Sequence, residues 1–178
     1  MRKFLFVFIS ALLSTVAFAA SEKVVSIPGH RIKVAVPAGY SFEMAKDEEG
    51  NARVFLENPI WEISITADLL AGSDPKSGTS EWQEEKVVTL MADALAQSKE
   101  KDYKFQKLHP KRGTGTYCVF TDETLKKGDA HKPGDYVHMT GGVRVNRGYM
   151  IGFKIMSNDL TSPEFHEAFS LFEDSFNE

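Results

Sequence analysis

Apolar and polar residues alternate with period 2 along two stretches separated by Asn146-Arg147-Gly148. Before the break, Val137, Met139, Val143 and Val145 alternate with His138, Thr140, Gly142 and Arg144; after it, Ile151, Phe153 and Ile155 alternate with Met150, Gly152, Lys154 and Met156. Two such runs around a Gly-bearing loop predict a long antiparallel hairpin. A three-residue loop closed by a left-handed Gly148 sets Val145 opposite Tyr149, Val143 opposite Ile151, Gly141 opposite Phe153 and Met139 opposite Ile155. In that register Gly142 lies opposite Gly152, on a polar face shared by His138, Thr140, Arg144, Met150, Lys154 and Met156.

The rest of the chain is read by the same periodicities. Strands are expected over 24–27 and 31–36, with a continuation over 41–45 after Pro37-Ala38-Gly39-Tyr40. A second hairpin spans 52–68 about Asn58-Pro59, with Trp61, Ile63, Ile65 and Ala67 on one face. Ser80 with Gln83 three residues on reads as a capping box, opening a helix to about Lys99 whose apolar stripe is Val87, Val88, Met91, Ala94 and Leu95. Trp82 falls nearly opposite that stripe, so it either staples onto the preceding loop or is displayed as a contact aromatic. Strands follow over 103–108 and 114–121, then a polar loop from Leu125 to Gly134. Thr161-Ser162-Pro163-Glu164 starts a second helix, with a hydroxyl cap, Pro in the first turn and Glu for the helix dipole. Its Phe165, Phe169, Phe172 and Phe176 share one face, expected to pack on Met139, Val143, Ile151, Phe153 and Ile155. With no repeat and no break in composition, the expected fold class is α+β: a single domain over 20–178, its antiparallel sheet of about six strands packed by two main helices.

The first nineteen residues stand apart. Arg2 and Lys3 precede an apolar run from Phe4 to Phe18, and Ala17-Phe18-Ala19 places small residues at the −3 and −1 positions of a signal peptidase site. Fifteen residues rise only about 22 Å as a helix, short of a bilayer core, so the segment reads as a cleaved signal peptide ending near Ala19. The expected location is therefore periplasmic or secreted, with no membrane span after cleavage. Without Arg2 and Lys3 the chain carries 19 basic against 25 acidic residues, a net charge of −6, which argues against nucleic acid as a partner. Cys118 is the one cysteine, so no intramolecular disulfide can form despite export, and a buried unpaired thiol is expected within its strand.

The order of elements resembles the Mog1p/PsbP-like superfamily. The residues that carry the likeness are Pro37-Ala38-Gly39-Tyr40, the strand Glu62-Ile63-Ser64-Ile65-Thr66, the Gly-bearing turn Asn146-Arg147-Gly148-Tyr149 and the closing Asp174-Ser175-Phe176. It spans about residues 24–176. It implies a sandwich of antiparallel sheet and helices, and members that mostly act as accessory or binding proteins. It supplies no active site to carry over.

Catalytic motifs are missing from the chain: there is no His-Glu-x-x-His, Gly-x-Ser-x-Gly elbow, phosphate loop or dinucleotide fingerprint, and no catalytic residue, cofactor or metal ligand is assigned. Asp129, His131, Asp135 and His138 form the densest set of ligand types, but a polar loop explains them. The polar hairpin face is more informative. Paired glycines leave a gap that a helix or loop would fill, or that would form a shallow groove rimmed by His138, Thr140, Arg144 and Lys154. Lys126, Lys127 and His131 add a basic cluster on the loop feeding His138, and Trp82 is the alternative contact. The function expected first is a non-enzymatic periplasmic binding or accessory protein that docks a protein partner of the periplasm or envelope. A metal-dependent or other hydrolase built on His131, Asp135 and His138 is the alternative, and a small-ligand carrier the third reading.

Overall fold

Turn-forming clusters separate nine strands and two helices among the described residues. The computed structural model describes residues 23–28, 32–46, 50–71, 76–125, 132, 134–146, 148–174 and 176. In order the elements are β1 (Lys23–Ser26), β2 (Lys33–Val36), β3 (Ser41–Lys46), β4 (Ala52–Asn58), β5 (Ile63–Ala71), α1 (Ser80–Ala96), β6 (Gln106–Leu108), β7 (Thr114–Thr121), β8 (His138–Asn146), β9 (Tyr149–Ser157) and α2 (Pro163–Asp174). Seven strands form one sheet in the order β3-β4-β5-β9-β8-β7-β6, while β1 and β2 pair separately. Every pairing is antiparallel. The α+β class is as expected, with one more strand in the main sheet than the expected six.

The helices cover opposite faces. Along α2, Phe165, Ala168, Leu171 and Phe172 are buried with Ile65, Leu69, Ile151, Phe153 and Ile155, and the β1–β2 hairpin adds Val34 and Val36 to the same cluster. Phe172 stacks on Phe153 at 4.1 Å and on Phe176 at 5.2 Å. The helix begins as read: the Phe165 N–H donates to Ser162 Oγ at 3.0 Å, with Pro163 in the first turn. On the other face α1 buries Val87 and Met91 against Cys118, Phe120, Val143, Val145 and Met150. Cys118 is fully buried and unpaired, and burial pushes its thiol up to about 11.

Four expectations are corrected. The capping residue of α1 is Thr79, which accepts from the Trp82 N–H, while Gln83 is buried and its amide donates to Ser77 O and Thr114 Oγ1. Val88 is 39 % exposed, outside the α1 stripe. The strand expected over 103–108 shrinks to β6, because Tyr103 and Phe105 stack on each other and Tyr103 meets Phe120 edge-on.

The fourth concerns the central hairpin, where pairing reaches Asn146 and Tyr149, with two residues in the connection rather than three. Asn146 pairs with Tyr149, Val145 with Met150, Val143 with Gly152 and Gly142 with Phe153. One residue of slip exchanges faces. His138, Thr140 and Arg144 therefore lie with Ile151, Phe153 and Ile155 on the α2 face, whereas Lys154 lies with Met139 and Val143 on the α1 face. Hence the Phe side of α2 packs on Ile151, Phe153 and Ile155, as expected, but not on Met139 and Val143. No Gly142/Gly152 pair exists: the Phe153 ring lies over Gly142, Leu90 of α1 fills the space over Gly152 and Met91 that over Gly141.

Candidate functional site

Among the described residues, those singled out from sequence do not form one groove. Lys126, Lys127 and His131 lie outside the described residues. Trp82 sits in the first turn of α1, half-buried, with Lys86 Nζ 5.2 Å from its ring centre, at the end of the sheet opposite His138. Lys154 is exposed on the α1 face, in a cleft of about 250 Å³ shared with Thr66, Leu90 and the Arg53–Asp68 ion pair. Thr140 is fully buried, between Val119 and Ile155 in the sheet.

Arg144 is the largest fully buried side chain. Its Nη2 donates to Arg112 O at 3.3 Å. Burial lowers its pKa, with the Tyr149 and Asp174 charges acting the other way. Nearby, Asn146 donates to Tyr149 Oη, and that hydroxyl donates to Phe176 O, while Lys111 pairs with Asp174 at 2.9 Å. A cation near the C-terminal end of α2 also suits the helix dipole. Arg144 is thus buried on the α2 face of the sheet and bonded to the turn before β7, rather than rimming a surface groove.

His138 belongs to a polar row across the opposite end of the sheet. Thr121 donates through its N–H and its hydroxyl to the Glu100 carboxylate, at 2.7 and 2.9 Å, and Thr121 Oγ1 lies 3.3 Å from His138 Nδ1. With the hydroxyl proton directed at Glu100, the remaining role of Thr121 Oγ1 is to accept from Nδ1–H. Ser157 pairs with His138 on the other side, but is only 1 % exposed. The row has the residue types of a hydrolytic relay, yet its hydroxyl is closed to a substrate.

Burial pushes the Glu100 carboxyl up, but the Thr121 and Glu100 N–H groups, the Thr121 hydroxyl and His138 outweigh it, leaving the pKa below the ordinary value. A carboxyl lowered on folding contributes stability above its unfolded pKa, lost as pH falls through the folded value. Urea midpoints measured between pH 7 and pH 3 should therefore fall less steeply below about pH 4.3 in Glu100→Gln than in the unaltered protein. Asp122, lowered by the Thr124 hydroxyl and N–H, acts in both proteins alike. Identical acid limbs would contradict this role.

The same end carries a feature that the alternation had hidden. Trp61 reads as part of a strand face, but lies in the turn between β4 and β5, where Ile60 is 77 % and Trp61 55 % exposed. The buried Asn58 side chain accepts from the Ile60 and Trp61 N–H groups at 3.1 and 3.2 Å, an Asx turn. Glu62 holds φ at 49°, a left-handed conformation rare for a residue with a side chain, and its carboxylate accepts from Asn158 Nδ2 at 2.8 Å. Asn158 Oδ1 in turn accepts from the Val137 N–H. The Asn58-Pro59 signal could have flagged the turn, but nothing in Glu62 advertises positive φ.

Beside this turn a recess of about 270 Å³ is lined by Glu57, Asn58, Pro59, Glu62, Ile63, Gly134 and Tyr136. Burial, then Glu57 and Glu62, raise the Tyr136 phenol pKa. Tyr136 also borders a smaller cleft of about 120 Å³ at the end of α1, lined largely by apolar residues that include Phe120, Met139 and Met156. Among the described residues no three His, Cys, Asp or Glu side chains gather as a metal site. No helix among them is long and apolar enough to cross a membrane.

No protein-family model, no curated protein and no solved structure matches this chain.

Proposed function

We propose that this is a non-enzymatic binding or accessory protein, exported to the periplasm, that docks a protein partner at the sheet end bearing Ile60 and Trp61. One observation carries the reading: two adjacent large apolar side chains face solvent on a turn fixed by Asn58, Glu62 and Asn158. Backbone strain persists only where surrounding contacts over-determine it, and such turns cluster at ligand clamps and active sites. A rigid, exposed Trp also loses little entropy on binding, which is why aromatic anchors dominate interface energetics. The Tyr136 clefts beside it offer an acidic and an apolar surface for neighbouring partner residues.

The finer fold assignment, a Mog1p/PsbP-like sandwich, belongs to the same proposal. Its support is the element order: strands, a long helix, four strands and a closing helix. Export is supported by the basic and apolar pattern of residues 2–19. The hydrolase reading built on His131, Asp135 and His138 ranks lower because no observation carries it, His131 lying outside the described residues.

A photo-crosslinking amino acid at position 61 should give a discrete adduct in cells exporting the protein, and one at Lys107, on the far edge strand, should not. Trp61→Ala should weaken capture of that adduct's partner at least about 30-fold, as loss of a hot-spot aromatic does, while unfolding stability stays within about 0.5 kcal/mol. Equal adducts at 61 and 107, or unchanged capture by Trp61→Ala, would refute the reading.

A further inference from the structure

The two edges of the large sheet are unlike. The β6 edge is three residues long and runs into His109-Pro110, the usual means of blunting an edge. β3 is six residues of regular strand without Gly, Pro or bulge, hydrogen-bonded to β4 alone in the sheet order, and five of its residues are exposed. Such an edge offers a row of backbone donors and acceptors to another strand.

We propose that β3 pairs antiparallel with β3 of a second copy, about a two-fold axis at Met44, joining two seven-stranded sheets into one. Symmetry and charge select this occupant. In an antiparallel pair, directly opposite residues share a face and a hydrogen-bonding class, so the two residue numbers must add to an even sum. A sum of 86 places Glu43 against Glu43 of its mate, a destabilising pair of like charges. A sum of 88 places Met44 against Met44, Glu43 against Ala45 and Phe42 against Lys46, with no like charges opposed. Met44 is 41 % exposed, an apolar side chain that this register covers, while the Lys46 stem crosses the half-buried Phe42. Glu43 and Lys46 cancel within β3, while the acidic Asp47-Glu48-Glu49 directly after it in sequence add to the repulsion between copies. The remaining repulsion is screenable, and salt strengthens the dimer.

Disulfide formation reads the register directly. Opposite Cα atoms in an antiparallel pair lie about 4.5–5.5 Å apart, within disulfide reach. The natural Cys118 is fully buried and its thiol pushed up to about 11, so it stays silent. Mild oxidation of purified Met44→Cys should give a covalent dimer, and Glu43→Cys should give none. Sedimentation of the unaltered protein should show a concentration-dependent dimer that tightens with salt, and Met44→Lys, which sets two like charges on the axis at an exposed site, should weaken it about tenfold. A protein that sediments as a monomer at every concentration overturns the proposal, as does crosslinking of Glu43→Cys equal to or above that of Met44→Cys.

Discussion

Phe172→Ala should cost about 4 kcal/mol of folding stability, more than truncation of any other ring on α2. Phe172 is fully buried, stacked at 4.1 Å on Phe153 and at 5.2 Å on Phe176, and the strands beneath it are central to the sheet. Removing the ring loses its transfer free energy and leaves a cavity walled by two other rings, which cannot close without moving β9. Two to four degrees per kcal/mol at this chain length translates into roughly 8–16 °C in Tm. Phe169 is the control. It was expected to lie on the same buried face, but it is half-buried and meets Tyr117 edge-on at 4.8 Å, so Phe169→Ala should cost less than about 2 kcal/mol. Chemical unfolding of both variants checks the order. Equal losses would mean that α2 is seated on the sheet in a different rotation.

Both helices were legible because their signals are local. Ser162-Pro163-Glu164 starts α2 by cap chemistry alone, and the spacing of Phe165 and Phe172 follows from helix geometry. Phe176, expected on the same helix, lies past its end with φ 54°. Strand positions were legible for a similar reason, since alternation in 52–68 and 114–121 needs no partner to be seen. Register was not. Asn146-Arg147-Gly148-Tyr149 accommodates a left-handed glycine in a loop of two residues or of three, and Gly148 has φ 90° in the loop that forms. In a strand exposed on one face, polarity would have decided between them. β8 and β9 are covered on both faces by α1 and α2, and Gly141, Gly142 and Gly152 carry no side chain to reveal a side. That ambiguity moved Arg144 from a supposed groove to a position beneath the end of α2. The candidate site was half legible. His138 was singled out by its place on the hairpin, but Trp61 was absorbed into an alternation that stops at Asn58.

The glycine that allows this arrangement gives the second large effect. Gly142→Ala should destabilise by about 3 kcal/mol. Gly142 lies between β7 and β9, where an added Cβ would fall 2.6 Å from Thr116 O, 2.7 Å from Tyr117 Cβ and 2.7 Å from Phe153 Cζ. Two of these obstacles belong to backbone or to an atom fixed to it, so relief requires β7 and β8 to separate. The third is the ring that occupies the space a side chain would have taken. Gly152→Ala is the matched control, because its added Cβ would meet only Leu90, with Cδ1 at 3.0 Å, and the end of a leucine side chain can turn aside. Its cost should be less than half as large. The double variant Gly142→Ala with Phe153→Leu separates the causes. If the ring were the sole obstacle, the smaller side chain would offset the effect of the new methyl, and the double variant would match Phe153→Leu alone. With Thr116 O and Tyr117 Cβ still in place, the double variant should remain at least about 1 kcal/mol less stable than Phe153→Leu in urea unfolding. Agreement of the two midpoints would show that β7 and β8 yield where the geometry says they cannot.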